Sequence, residues 1–292
     1  MLRFFKKKII KFIVNKVSDR PLVQSINHPK LKDIKKSSEN YFKSFGNKNP
    51  DKTFYVIRIN YGGGIFSILL YVLHQIKVAE SMNAIPIIDM ENFPTKYNQL
   101  NKIKKTLNSW LYYYYPISQY SLEEVYESKS VIINTGIPTV AMPKSWKDDT
   151  EIFTTYFKKY IKIRKEFIRA GNIFAKKNFY KHKILGVHFR GKGMYNAPNH
   201  PFTPTPTQMI NKVDEYLKKG KFDKIFLVTA QKNYLEIFKK RYGNKLCYCD
   251  SFRVNTSKAF HHHDARLNHR YKMGRDSVVE MLIFSPINLI YI

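Results

Sequence analysis

Cysteine is nearly absent: among 292 residues there are only Cys247 and Cys249. One residue apart, they fall on opposite faces of a strand, which disfavours a disulfide between them and suits a reducing compartment, so the cytoplasm is the expected location. No run approaches the ~20 apolar residues of a membrane-spanning helix. The N-terminus lacks the small-residue cleavage site of an export signal. No repeat of fixed period is present, which argues against a solenoid. Acidic residues are scarce as well: 22 Asp+Glu against 51 Lys+Arg give a formal charge of +29. That balance favours an anionic partner, whether nucleic acid, membrane surface or phosphorylated small molecule. A lysine-rich composition spread over solvated faces gives the same balance, so charge alone does not choose. A basic nucleic-acid-binding protein stays an alternative on charge and on 15% aromatic content, but no RNP, KH, zinc-finger or helix-turn-helix signature supports it, and no nucleic-acid partner is expected.

The residues that are present divide the chain. Residues 1–17 (MLRFFKKKIIKFIVNKV) interleave Leu2, Phe5, Ile9, Phe12, Ile13 and Val17 with six cations. This is the composition of a basic amphipathic helix lying on anionic lipid, although a helix packed on the protein, or a frayed terminus, reads the same way. Residues 18–52 read as a polar connector. Residues 53–177 read as an N-terminal α/β domain: a strand from Phe54 to Ile59, a glycine loop, a helix from Ile68 to Met82, strands at 85–89 and 131–134, and a long bridging helix from Lys144 to Lys177. In residues 178–292, strands at 184–189, 224–229, 246–249 and 288–292 alternate with helices at 206–219, 232–242 and 276–284. Alternation at this spacing implies parallel sheets with right-handed crossovers.

Two strand ends carry the chemistry. In Ile184 to Met194 (ILGVHFRGKGM) an apolar strand runs into glycines, placing His188 and Arg190 where Gly191 and Gly193 permit close backbone approach. Arg190 can offer a fork of donors to two phosphate oxygens. A strand that simply turns, leaving its arginine in solvent, gives the same local pattern. Tyr61-Gly62-Gly63-Gly64 likewise sits between a strand and a helix, where amides at the helix start attract an anion. It is neither G-x-x-x-x-G-K-[ST] nor G-x-G-x-x-G, so ATPase and simple dinucleotide readings lack their motif.

Together with Asn108-Ser-Trp110, His200 to Pro206 (HPFTPTP) and Asn268-His-Arg-Tyr271, these strand ends resemble one family from about Phe54 onward. The chain is similar to bacterial fucosyltransferase-like glycosyltransferases, the group of the α-1,6-fucosyltransferases and nodulation fucosyltransferases. The resemblance implies an α/β fold of two Rossmann-like domains facing a cleft, a GT-B-like arrangement. A nucleotide sugar, usually GDP-fucose, would bind mainly to the C-terminal half. It implies that His188 lies beside the nucleotide and that Arg190, the catalytic candidate, neutralises the departing diphosphate. Gly191 and Lys192 would line the donor, and Tyr61 to Gly64 would approach it from the N-terminal half. Glu280 would accept hydrogen bonds from guanine, and His200, His269 and Arg270 would lie on the acceptor side. No metal or cofactor is implied, since fixed arginine and amide donors stabilise the leaving group.

Departures from the family are expected to matter. Gly191, Lys192, Gly193 and Met194 stand where relatives often have a second arginine or a Thr-Asp pair, and Thr229-Ala-Gln-Lys-Asn233 replaces Thr-Asp-Asp. No general base is assigned. The sequence stops on a strand where relatives continue into a Ser/Thr-rich loop and closing helices, which reads as a truncated C-terminal half. Adjacent His261, His262, His263 and Asp264 lack the spacing of a zinc site. The function expected is inverting, metal-independent transfer of a sugar onto a cell-surface glycan or lipopolysaccharide precursor. The enzyme would be peripheral on the inner membrane face, and a catalytically silent donor-binding remnant is the alternative.

Overall fold

The structure, a computed structural model, describes residues 28–31, 34, 40–60, 62–136, 146–190, 203–220, 222–255 and 266–285. The expected helix at 1–17 and strand at 288–292 lie outside them. Two units form, Met1–Arg164 and Lys165–Ile292.

In the first unit, strands β1 (Tyr41–Lys43), β2 (Lys48–Ile57), β3 (Ile85–Ile88) and β4 (Ser128–Ile133) pair in the order β1-β4-β2-β3. β2 is parallel to both its neighbours, and β1 is antiparallel to β4. The sheet is therefore mixed rather than wholly parallel. Phe54, Tyr55, Val56 and Ile57 are all buried, the continuous apolar run of a strand covered on both faces. Phe54 and Val56 join Ile87, Phe93, Val125, Tyr126, Val131 and Ile133 on one face. On the other, Tyr55 donates its hydroxyl to Gln75 Oε1 at 2.6 Å, from helix α1 (Ile65–Ser81). The expected connector is shorter than its composition suggests, because β1 and the polar start of β2 form strand at residues 41–43 and 48–52.

The expected bridging helix is two helices, α2 (Trp146–Tyr160) and α3 (Lys165–Phe179). Between them the chain is held to the first unit. Tyr115 N–H donates to Lys162 O, and Arg164 donates through its backbone N–H to Tyr113 O and through Nε to Leu111 O. The unit boundary thus falls at 164, not at 177 as the sequence suggests.

In the second unit β5 (Ile184–His188), β6 (Lys224–Val228) and β7 (Leu246–Cys247) form a parallel sheet in sequence order. Strand alternation sorts the core. Leu185, Val187, Ile225 and Leu227 pack with Met209 and Val213 of α4 (Pro206–Lys218) and with Leu235 and Phe238 of α5 (Lys232–Tyr242). Ile184 and Phe226 pack on the opposite face with Phe174 of α3 and Ile283 of α6 (His269–Phe284). α4 opens with a capping box in which Thr205 and Gln208 satisfy each other's backbone N–H groups, followed by Pro206. Thr205→Ala is expected to cost about 1 kcal/mol, read as a lowered midpoint in chemical denaturation with an unchanged slope. No helix among the described residues is long and apolar enough to cross a membrane.

Candidate functional site

The strand ends of the second unit gather the polar groups. β5 is buried until its last residue, His188, which is exposed. Phe189 turns inward: its N–H donates to Val228 O at 2.9 Å, and its ring stacks on Tyr234 with centroids 4.2 Å apart. Anchoring Phe189 sends His188 and Arg190 to the opposite side by simple alternation, and Arg190 is exposed. The His188 imidazole is held below its usual pKa, first by the desolvating protein around it and second by the Arg190 guanidinium. At neutral pH it is the uncharged ring, with one donor and one acceptor to offer.

At the same edge of the sheet, the loop after β7 is tied by Arg253, whose Nη1 donates to Ser251 O and Nη2 to Cys249 O, each at 2.8 Å. Ser251 Oγ donates to Glu280 Oε1 at 2.6 Å. Burial pushes the Glu280 carboxyl up to about 7; the Ser251 hydrogen bond and Arg253 oppose this, and Asp276 adds to it. A carboxyl poised there changes charge near neutrality and can accept from, or donate to, a polar ligand edge. Ser251 and Arg253 were not singled out in the sequence, because no pattern marks loop residues that reach a helix twenty-nine positions on.

His269 and Arg270, expected on the acceptor side, are instead buried in the first turn of α6, at 2% and 4% exposure. His269 Nδ1 accepts from Arg266 Nε at 3.3 Å and its ring meets Phe252 edge-on. The two residues seat α6 within the unit rather than face solvent. α6 begins seven residues before the expected start, after Asn268 in a left-handed conformation.

In the first unit the glycine loop leads into α1, whose N-cap Gly64 has no side-chain cap. Gly62 and Gly64 are exposed, and a Cβ built on either meets nothing within 4 Å. Neither has the positive φ that would demand glycine; Gly64 suits the N-cap it occupies, and the open space at Gly62 leaves room for an approaching ligand. Lys96 Nζ donates to Gly62 O at 3.0 Å and brings a cation to the loop. Gly62→Ala is expected to leave stability within about 0.5 kcal/mol of the parent, which thermal melts check.

Arg58 precedes this loop at the end of β2 and is 3% exposed. A polar residue directly after four buried apolar ones was the only sequence signal for it. Tyr61, Gly191, Lys192, His200 and the cluster at 261–264 lie outside the described residues.

Several solved structures are similar to this chain, two of which bear on its fold. One is the NodZ alpha-1,6-fucosyltransferase co-crystallized with GDP, at 13% identity, covering 81% of this chain and 86% of that chain with a TM-score of 0.50. The other is the fucosyltransferase NodZ from Bradyrhizobium, at 14% identity, covering 81% of this chain and 87% of that one with a TM-score of 0.52. No family model matches the chain, and no curated protein matches it. The likeness shows the fold, α/β and GT-B-like, in accord with the reading of the sequence.

Proposed function

We propose that the chain is a glycosyltransferase that binds a GDP-linked sugar, fucose, at the strand ends of its second unit and transfers it to a glycan acceptor. One observation carries the reading. An exposed Arg190 and an uncharged His188 share the end of β5, and the Glu280–Ser251–Arg253 group stands at the same C-terminal edge of a parallel sheet. That edge is where open α/β sheets bind ligands. Arg190 then meets the diphosphate with a forked donor, His188 offers a neutral hydrogen bond beside it, and Glu280 accepts from the guanine edge.

In the transfer, a bond forms between the acceptor oxygen and the anomeric carbon as the bond from that carbon to the diphosphate oxygen breaks, with inversion. The acceptor hydroxyl loses its proton to solvent water as the new bond forms. GDP leaves with the bonding pair, and Arg190 stabilises the charge that develops on it. Fixed donors suffice for this without a metal. The acceptor is a cell-surface glycan or lipopolysaccharide precursor carried on lipid, and residues 1–17 hold the enzyme to the anionic inner membrane face.

A panel of GDP- and UDP-sugars offered with a lipid-linked glycan tests this by nucleoside diphosphate release. GDP-fucose is expected to be consumed fastest, and failure of every nucleotide sugar to stabilise the chain in thermal melts would overturn the proposal. A donor-binding protein without turnover is the second reading. It is favoured by the end of β6, where Thr229-Ala230-Gln231 offers no carboxylate and Gln231 is buried in a bridge to Val254. Donor binding with no diphosphate release selects it.

A further inference from the structure

Arg58 is a buried guanidinium with no carboxylate partner among the described residues. Its Nε donates to Asn134 O at 2.6 Å and its charge lies 5.1 Å from the centroid of the Phe93 ring. Its Nη2 is buried and has no hydrogen-bond partner among the described residues. Burial lowers its pKa, but a guanidinium keeps its charge at any physiological pH.

The buried acid of this unit does not answer it. Asp89 Oδ1 accepts from the backbone of Glu91 and Asn92, and Oδ2 from Asn92 Nδ2 and from the Tyr126 hydroxyl at 2.7 Å. Asn134 is likewise committed. Its Oδ1 accepts from Arg58 N–H, and its Nδ2 donates to the Tyr71 hydroxyl. An uncompensated buried charge destabilises a fold, and an apolar side chain of similar volume would serve the packing better.

The position of Arg58 supplies the reason to keep it. From β2 the chain crosses to β3 on one side, then returns to place β4 on the other side. The ends of β2 and β4 therefore flank the point where strand order reverses, the crevice in which open α/β sheets hold ligands. Arg58 follows β2 and Asn134 follows β4 at that crevice. Gly136, with φ of +74°, folds so closely over it that a Cβ there would lie 2.8 Å from Asn60 Cβ and 3.3 Å from Arg58 Cγ. Four residues on from Arg58 comes the open Gly62–Gly64 loop.

We infer that the first unit has its own anion site, in which Arg58 receives a phosphate or carboxylate group at the β2–β4 crevice. It is separate from the site proposed at Arg190, and its ligand is either the diphosphate of a nucleotide or an anionic group on an acceptor sugar.

The test uses the full chain carrying Arg190→Ala, so that failure of the proposed donor site does not affect the outcome. Thermal melts are recorded with inorganic phosphate, glucuronate or GDP, each against chloride at equal ionic strength. At least one of the three is expected to raise the midpoint by at least about 2 °C. Adding Arg58→Met should abolish that rise, and Arg58→Lys should retain part of it. In chloride alone, Arg58→Met should melt no lower than its parent. A response to GDP, with or without one to inorganic phosphate, but not to glucuronate identifies the diphosphate as ligand, whereas a response to glucuronate without one to GDP identifies an anionic acceptor sugar. Equal responses with and without Arg58, no response to any anion, or a chain that melts lower or fails to fold as Arg58→Met would each overturn the inference.

Discussion

Replacing Arg190 with alanine is expected to weaken GDP binding about 100-fold, the scale on which removal of one well-placed donor to a developing or bound anion is felt. Isothermal titration of GDP into the two proteins measures it. The effect should be confined to ligands with a phosphate, because the exposed guanidinium takes no part in the core: Phe189, not Arg190, anchors this strand end against Tyr234 and Phe238. Stability without ligand should therefore change little. A variant that binds GDP as the parent does would make Arg190 an ordinary solvated residue at a turn, the alternative that the local sequence leaves open.

The second large effect is a pH dependence centred on Glu280. Its folded pKa of about 7 lies well above the ~4.3 of an unfolded glutamate, so the native state binds the proton more tightly. The resulting stabilisation is complete below about pH 4 and is lost as the pH rises through 7. Stability should thus fall between pH 5 and pH 8, by at most on the order of 3 kcal/mol, and Glu280→Gln should flatten that slope. Donor binding should move the opposite way. If guanine donates to the carboxylate, only the ionised fraction is competent, and GDP affinity should rise about tenfold from pH 6 to pH 8. Burial first, and the Arg190 guanidinium second, lower the His188 pKa from its ordinary value, so the His188 charge does not rise across this window. Titrations across the range in parent and Glu280→Gln proteins check both trends, and a GDP affinity independent of pH in the parent would separate Glu280 from the base.

The sequence revealed the elements whose letters carry a period. β5 and β6 alternate between two apolar faces, and β2 is an unbroken apolar run, so their places follow from burial alone. Polar letters misled in both directions. Lys48 to Lys52 read as connector because their side chains are mostly exposed, although the backbone there is strand. His269 and Arg270 read as acceptor-side residues, yet both are interior: Phe252 and Arg266 pack against that helical turn. Of the residues proposed for the donor site, His188 and Arg190 are legible from the strand-into-glycine pattern. Arg58 is not, since nothing in one sequence tells a buried charge from a strand end in solvent. Its meaning comes from the strand order, which pairs residues seventy-six positions apart at a single crevice.

A crystal of the full chain grown with GDP tests the central claim most directly. The account predicts nucleotide density at the C-terminal edge of β5, β6 and β7, with the diphosphate against Arg190 and His188 and the guanine edge on Glu280. Nucleotide bound elsewhere, with Arg190 still in solvent, would contradict it.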